Sequence, residues 1–422
     1  AEAQRDTSRH LQSIRWLSVA VGRQGRGSEA ASLYRELEDR ARATGDSLHL
    51  GWAWVGLAYD HYLAGRSGPA AETYARAAGV LERHAESAGA MWAWNGRAMA
   101  LRQSGRYDEA RDAFLHVLSL AELRHDAINA ATALDNLGRL DLQLGDPGLA
   151  EKRFARSAAI HRDHQHQREG LVPCIDLARA RHMQGRYESA ESLLDSVIVV
   201  TKELGLRDLE VLAMGQLSDI QLARGRPGSA AGLTREVMAS GEPPSRLADT
   251  ETRIRLARAL AARDSAAAAV EVLERIATPG AVSLELQIAI LLGSLLQDLG
   301  RTGQAIDRLN PALETARAAG ADVEQVAILT ELGRARASLG LRSEALDAYL
   351  EAVDTWEKVR AHPADPAWRE LRGTVAGSLF AQAAALLAVD AGRIEDAWTL
   401  VQRYRARTLQ ERMSRPGAHH LG

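Results

Sequence analysis

The sequence contains little that would support a disulfide-linked, zinc-binding or membrane-spanning protein. Cys174 is its single cysteine, which excludes an intrachain disulfide and a cysteine-based zinc site. No apolar run approaches the ~20 residues that a membrane-spanning helix needs. Lysine is almost absent, with only Lys152, Lys202 and Lys358 among 52 basic residues, and the formal net charge is −3. So weak a charge supplies no field to attract nucleic acid or an anionic membrane, and neither is expected as a partner.

Aromatic residues are also scarce, at 5% of the chain, although 46% of the residues are hydrophobic. Alanine and leucine supply most of that hydrophobic content. Both residues favour helices, whereas β-sandwiches need aromatic and β-branched residues. The composition therefore favours an all-helical protein.

What the sequence does contain is a 40-residue repeat. Glycine recurs at this interval at Gly25, Gly65, Gly105, Gly145, Gly185 and Gly225, and the phase continues less regularly at Gly300, Gly340 and Gly392. One further unit, around Asp264, lacks the glycine. The chain therefore holds about ten units.

Three more positions keep the phase of the repeat. A small residue stands seven before the glycine, as at Ala98, an alanine stands five after it, as at Ala110, and a large residue stands nine after it, as at Phe114. Glycine ends a helix at low cost because it adopts the left-handed backbone conformation freely. The repeat therefore predicts a helical hairpin. Its small residues let two helices touch, and its large residue fills the gap between neighbouring hairpins.

This pattern resembles the tetratricopeptide repeat over nearly the whole chain, although the usual unit is about 34 residues. The longer unit is similar to the repeats of kinesin light chains, of bacterial regulators with tetratricopeptide sensor arms, and of CHAT-domain proteins. HEAT and armadillo repeats have comparable lengths but lack this pattern of glycine and alanine. The resemblance implies an all-α fold, a right-handed α-solenoid of about ten tetratricopeptide-type helical hairpins.

The spacing of the repeats divides the chain into three regions. Residues 1–240 keep the regular period, and residues 241–360 hold less regular repeats. Residues 361–422 contain the Pro-rich connector Ala361–Trp368 and a terminal helical hairpin. Proline in the connector excludes a continuous helix there.

The sequence Trp-Ala-Trp occurs twice, in the same phase of two successive units. Trp54 and Trp94 fall on the apolar stripe of the first helix and are expected in the core. Trp52 and Trp92 point about 160° away from them, because a helix turns about 100° per residue. Two interpretations of this second pair stay open. Either the rings line a binding groove, or they pack against the following hairpin or an N-terminal extension.

In tetratricopeptide proteins this face of the first helix lines a concave groove in which peptides or partner segments bind. The resemblance implies a partner-binding set that comprises Trp52, Tyr59, Tyr62, Trp92, Asn95, Arg102, Asp135, Asn136, Arg139 and Arg179. Asn136 resembles the asparagine that holds the backbone of a bound peptide in long-repeat families. The same position holds Gly96 and Asp176 in the adjacent units, so there is no continuous asparagine ladder.

No motif indicates catalysis, so the chain is expected to be neither an enzyme nor a cofactor-binding protein. The histidines of His161–Gln167 have the spacing to catch a metal ion, but a solvated turn is the favoured interpretation. Gly22–Gly27 is rich in glycine but lacks the Lys-Ser/Thr of a phosphate loop. A free-standing enzyme would need pairs of titratable residues in a pocket, and the sequence shows none.

The C-terminal residues Arg405, Ala406, Arg407 and Leu409 resemble the end of the repeat array in CHAT-domain proteins. There the array leads into a caspase-like protease domain. The resemblance implies a non-catalytic, protein- or peptide-binding scaffold or sensor arm, whose partner is a C-terminal or separate caspase-like protease. The alternative is the ligand-sensing arm of a bacterial signalling ATPase or transcription regulator.

The chain begins Ala1-Glu2-Ala3 without methionine. Either a trimmed chain or a mature chain after signal removal would begin in this way. A cytoplasmic location is favoured, with export as the alternative.

Overall fold

The computed structural model describes residues 2–276, 281–360, 376–389 and 392–413. All regular secondary structure in these ranges is helical, which confirms the all-α prediction. The chain separates into two compact units, residues 1–184 and residues 185–422. The sequence-based boundaries at 240 and 360 describe how regular the repeats are, and they stay a prediction.

The first unit holds nine helices in its described residues, and they alternate as first and second helices of successive hairpins. They are α1 (Glu2–Arg23), α2 (Gly27–Thr44), α3 (Ser47–Leu63), α4 (Ser67–Arg83), α5 (Ser87–Gln103), α6 (Tyr107–Leu123), α7 (Ala127–Leu144), α8 (Pro147–Asp163) and α9 (Gln167–Met183). Each helix packs against the next, and α3 also packs against α5. The odd-numbered helices are the first helices of the hairpins, as the glycine phase predicts.

The second unit continues the alternation over its described residues. Its helices are α10 (Tyr187–Glu203), α11 (Arg207–Ala223), α12 (Pro227–Ala239), α13 (Arg246–Ala261), α14 (Ala266–Glu274), α15 (Val282–Asp298), α16 (Thr302–Ala319), α17 (Asp322–Ser338), α18 (Arg342–Arg360), α19 (Ala376–Val389) and α20 (Ile394–Met413). The described ranges hold twenty helices in all, which alternate as first and second helices as the repeat predicts, and they confirm the all-α solenoid class. The connector Ala361–Trp368 lies outside the described residues.

The turns between helices repeat every 20 residues, twice as often as the glycines. Gly65 ends a first helix with φ +73°, and the equivalent residue after the following second helix is Ala85, with φ +53°. The Glu86 amide donates to the Leu81 carbonyl at 2.9 Å, so this turn satisfies the last backbone carbonyls of α4. A left-handed conformation is therefore required at Ala85 even though its side chain disfavours it.

We expect Ala85→Gly to raise the free energy of unfolding by about 1 kcal/mol, because glycine adopts positive φ without steric cost. The matched control is Ala75→Gly, within α4, which should lower the same quantity by about 1 kcal/mol. Urea denaturation followed by circular dichroism measures both changes. A loss of stability in both variants would contradict the backbone assignment at residue 85.

Close contacts between small and large residues hold the helices together. A Cβ atom on Gly96 would lie 2.4 Å from Cζ of Tyr74, a residue of the preceding hairpin. A Cβ atom on Gly138 would lie 2.7 Å from Cε1 of Phe154, in the same hairpin. The predicted large residue therefore fills gaps both within a hairpin and between hairpins.

Candidate functional site

The first helices of residues 1–184 form a row of side chains that contact one another from α1 to α9. We call this row the first-helix face; it comprises Arg15, Trp52, Tyr59, Tyr62, Trp92, Asn95, Arg102, Asp135, Asn136, Arg139, Asp176 and Arg179. Contacts between successive first helices, described below, link the row. Such a surface is built by the stacking of repeats, since no single hairpin supplies more than a few of its residues.

Trp52 is half-buried between two neighbouring first helices. The guanidinium carbon of Arg15 in α1 lies 3.8 Å from the centre of the Trp52 ring. On the other side, a Cβ atom on Gly89 of α5 would lie 2.8 Å from Cζ2 of the ring. Trp52 therefore packs against the following hairpin and an N-terminal helix, which is the second of the two interpretations offered for it.

Trp92 differs from Trp52 although both occupy the same repeat position. Its side chain is 58% exposed. The residue that corresponds to Gly89 in the next hairpin is Asn129, whose side-chain amide donates to Asp126 at 2.7 Å. The repeat position that is glycine beneath Trp52 therefore carries a hydrogen-bonded side chain in the next unit. The two tryptophans are not an equivalent pair, and only Trp92 presents most of its ring to solvent.

Trp54 and Trp94 lie toward the second helices. Both pack against the hydrophobic core, as expected, and both are half-buried. The indole N–H of Trp54 donates to Glu38 at 2.9 Å, and that of Trp94 donates to Glu82 at 2.7 Å. The polar edge of each indole needs a partner when the ring packs inward, and the second helix of the preceding hairpin supplies it.

Tyr59 and Tyr62 form an aromatic pair on α3. Their ring centres lie 6.5 Å apart with nearly parallel planes. Tyr59 is 54% exposed, whereas Tyr62 is half-buried and lies close enough to Arg102 of α5 to act on its charge. The face thus carries solvent-accessible aromatic surface on both α3 and α5.

Asn95 and Asn136 hold two first helices together. The Asn136 side-chain amide donates to the Asn95 side-chain oxygen at 2.8 Å. Asn136 is buried and Asn95 is half-buried. In this structure the two amides are therefore paired with each other, and a bound peptide would have to share or displace this hydrogen bond.

Arg139 of α7 pairs with Asp176 of α9. Its Nε donates to Oδ2 of Asp176 at 2.9 Å, and its Nη2 lies 2.9 Å from the same oxygen. Arg179 lies three residues beyond Asp176 on α9 and is exposed. The ion pair repeats in the second unit, where Arg255 of α13 donates to Asp219 of α11 at 3.1 Å.

Asp135 is a buried carboxyl group, 9% exposed, beside the ion pair of Arg139. Burial, with a smaller contribution from the charge of Asp176, raises the pKa of Asp135 to about 7 against the opposing effects of Ser157 and Arg139. Its Oδ1 atom has no hydrogen-bond partner among the described residues. Burial also raises the pKa of the neighbouring Cys174 thiol, so that thiol is a poor nucleophile at neutral pH.

The histidine turn at the end of α8 is only partly solvated. His164 is exposed, but His161 is buried at a core position of the repeat. Burial, and then His166, lower the pKa of His161. Within the described ranges, no group of three or more His, Cys, Asp or Glu residues is arranged to hold a metal ion. In the same ranges, no helix combines the length and apolarity needed to cross a bilayer.

Sequence reasoning missed two features of this site. Arg15 was not assigned to it, and the difference between Trp52 and Trp92 was not foreseen. One signal was present, since the repeat position that meets the ring of Trp52 holds Gly89 while the next unit holds Asn129. The pairing of Arg139 with Asp176 had a weaker signal in the opposite charges on adjacent units.

Comparisons with known proteins agree with this architecture. Residues 89–163, which include most of α5 to α8, match the family model described as tetratricopeptide repeat. A search of curated protein sequences finds no match to the chain. Solved structures share the fold at low sequence identity.

A tetratricopeptide repeat protein from Parabacteroides merdae has a TM-score of 0.51 and 15% identity, over 68% of this chain and 98% of that one. The apo form of the quorum sensor NprR from B. thuringiensis has a TM-score of 0.50 and 16% identity, over 84% of this chain and 99% of that one. A human IFIT1 dimer with m7Gppp-AAAA has a TM-score of 0.50 and 12% identity, over 94% of this chain and 90% of that one. At these identities the likeness concerns the fold alone. The chain is thus an all-α array of helical hairpins, of which residues 89–163 match the tetratricopeptide repeat.

Proposed function

We propose that the chain is a non-catalytic scaffold that binds a peptide or an extended segment of a partner protein on the first-helix face of residues 1–184. The observation that carries this proposal is the exposure of Trp92, at 58%, next to a hairpin that exposes Tyr59 at 54%. Exposed aromatic rings on neighbouring elements are typical of binding hot spots. The buried and half-buried polar groups around these rings favour binding of a specific ligand over non-specific hydrophobic association.

The polar residues of the face suit an extended peptide backbone. Asn95 and Asn136 carry amide donors and acceptors in the middle of the face, paired with each other across 2.8 Å. Such a pair can exchange one internal hydrogen bond for two to a peptide backbone without leaving a buried polar group unsatisfied. Trp92 would cover the apolar side chains of the same peptide.

This proposal is tested with a pool of nine-residue peptides, blocked at both ends, passed over the immobilised chain. Retained peptides are sequenced, and the affinity of the strongest is measured by fluorescence anisotropy. We expect Trp92→Ala to weaken binding about 30-fold, the effect of losing a hot spot worth about 2 kcal/mol. Trp398→Ala is the matched control, because Trp398 is 63% exposed but belongs to the other unit. An equal loss in both variants, or no retained peptide, would contradict the proposal.

A finer proposal is that the array regulates a caspase-like CHAT protease. Its support is the motif of Arg405, Ala406, Arg407 and Leu409, whose side chains lie outside the described residues. Reading the gene beyond codon 422 tests the fused form, because an unrelated domain there would exclude it. The alternative is a ligand-sensing arm of a signalling ATPase or transcription regulator, which is in keeping with the fold shared with the quorum sensor NprR. An upstream domain with a phosphate loop would favour that alternative.

A further inference from the structure

Arg102 stands out among the cations of the first-helix face. It is half-buried, yet no described residue forms a hydrogen bond or an ion pair with its guanidinium group. The other half-buried cations of the face are engaged, since Arg139 is paired with Asp176 and Arg15 is stacked on Trp52. Arg102 is therefore a partly desolvated positive charge without a counter-charge.

The surroundings of Arg102 make its charge costly in the free protein. Burial, and then repulsion from the nearby Arg139, lower its pKa, while Tyr62 and Tyr107 oppose this. A desolvated cation loses hydration, and it regains that free energy only from an anion or from hydrogen-bond acceptors. A ligand with a negative oxygen would supply both at once through a charge-assisted hydrogen bond.

We propose that Arg102 binds a glutamate or aspartate side chain of the peptide ligand, while Tyr62 and Tyr59 contact the residues next to that carboxylate. This inference rests on the proposed function and adds the chemical class of the ligand. Tyr62 of α3 lies close enough to Arg102 for their charges to interact, and its half-buried ring would limit the access of water to the new ion pair. Tyr59 offers exposed ring surface on the same helix, at 6.5 Å from Tyr62 between ring centres.

The charges of the face favour an acidic peptide over a nucleic acid. A nucleic-acid backbone needs several unpaired cations along its path. Here Arg139 is already neutralised, and Asp135 and Asp176 lie on the same face. One unpaired half-buried cation, on a face that also exposes the rings of Tyr59 and Trp92, matches one carboxylate with apolar neighbours.

The test compares two pools of blocked nine-residue peptides, random except at the central residue, which is glutamate in one pool and glutamine in the other. We expect the intact chain to retain the glutamate pool about tenfold more strongly, as one charge-assisted hydrogen bond would give. Raising the salt concentration should reduce this preference. Arg102→Gln should abolish it, and Arg102→Lys should keep part of it because the charge remains.

Arg83→Gln is the matched control, since Arg83 is an exposed cation on α4, a second helix of the same unit, and the variant should leave the preference unchanged. Equal retention of both pools, with retention still dependent on Trp92, would overturn the role of Arg102 and leave the proposed function standing. A preference for the glutamate pool that persists in Arg102→Gln would likewise overturn the role of Arg102 and leave the proposed function standing. If the chain retains neither peptide pool, the proposed function is overturned as well. The same holds if it retains a single-stranded RNA oligonucleotide and no peptide.

Discussion

Phe154→Ala should lower the free energy of unfolding by about 3–5 kcal/mol, the range measured for buried aromatic residues. The Phe154 ring is 0% exposed. It lies so close to Gly138 that a Cβ atom there would fall 2.7 Å from Cε1 of the ring. Removal of the ring leaves a cavity between α7 and α8 that their close-packed backbones cannot collapse to fill. Part of the cost is therefore the cavity itself.

The measurement that suits a repeat array is native-state hydrogen exchange, because each hairpin depends mainly on its neighbours. Amides of α7 and α8 should lose protection first in Phe154→Ala. Trp92→Ala is the control, because an exposed ring contributes little to stability and its loss should change the free energy by no more than about 0.5 kcal/mol. A large destabilisation by Trp92→Ala would mean that its ring belongs to the core and not to a binding surface.

Asp135→Asn should stabilise the chain, and the gain should grow as the pH rises from 4 to 8. The pKa of Asp135 is raised from its ordinary 3.8 to about 7, mainly by burial. Between these two values the folded state keeps a proton that the unfolded state has lost. The free energy of unfolding therefore falls as the pH rises through this window.

The size of the effect follows from the shift. One pKa unit corresponds to about 1.4 kcal/mol, so above pH 7 the ionised Asp135 of the wild type should lower the free energy of unfolding by about 4 kcal/mol. Asparagine carries no charge at any pH, so the variant should exceed the wild type by about that amount at pH 8. At pH 4 the difference should be close to zero.

Urea denaturation of both proteins at several pH values measures this difference. Subtracting one curve from the other removes the contributions of Asp141, whose pKa is raised to about 6 mainly by burial, and of His161, whose pKa is lowered. Asp163→Asn, at an exposed carboxylate of α8, should change stability by less than about 0.5 kcal/mol at every pH. A difference between Asp135→Asn and wild type that does not vary with pH would refute the assignment.

The fold could be predicted from the sequence because its signals are local and repeated. A glycine such as Gly65 marks a left-handed turn by its own backbone chemistry. Ala98 and Phe114 mark packing positions that recur every 40 residues. Each unit therefore repeats the same evidence, and the number of hairpins follows from counting.

The candidate site was less predictable because its properties depend on residues about 40 positions apart. Trp52 packs closely against Gly89, while the equivalent position in the next unit, opposite Trp92, holds Asn129. Arg102 and Arg139 are both arginines on first helices, but only Arg139 forms an ion pair with an aspartate on the next first helix. The raised pKa of Asp135 arises from burial that its neighbours impose. No single unit of the repeat contains that information.

The most direct test of the binding surface is photo-crosslinking of a peptide selected from the blocked pool. The photoreactive residue p-benzoylphenylalanine takes the place of Trp92 in one protein and of Leu115 in another. Leu115 is 39% exposed on α6, the second helix of the same hairpin. The account predicts a crosslink from position 92 and none from position 115. A crosslink from position 115 alone would place the peptide on the second helices and contradict the account.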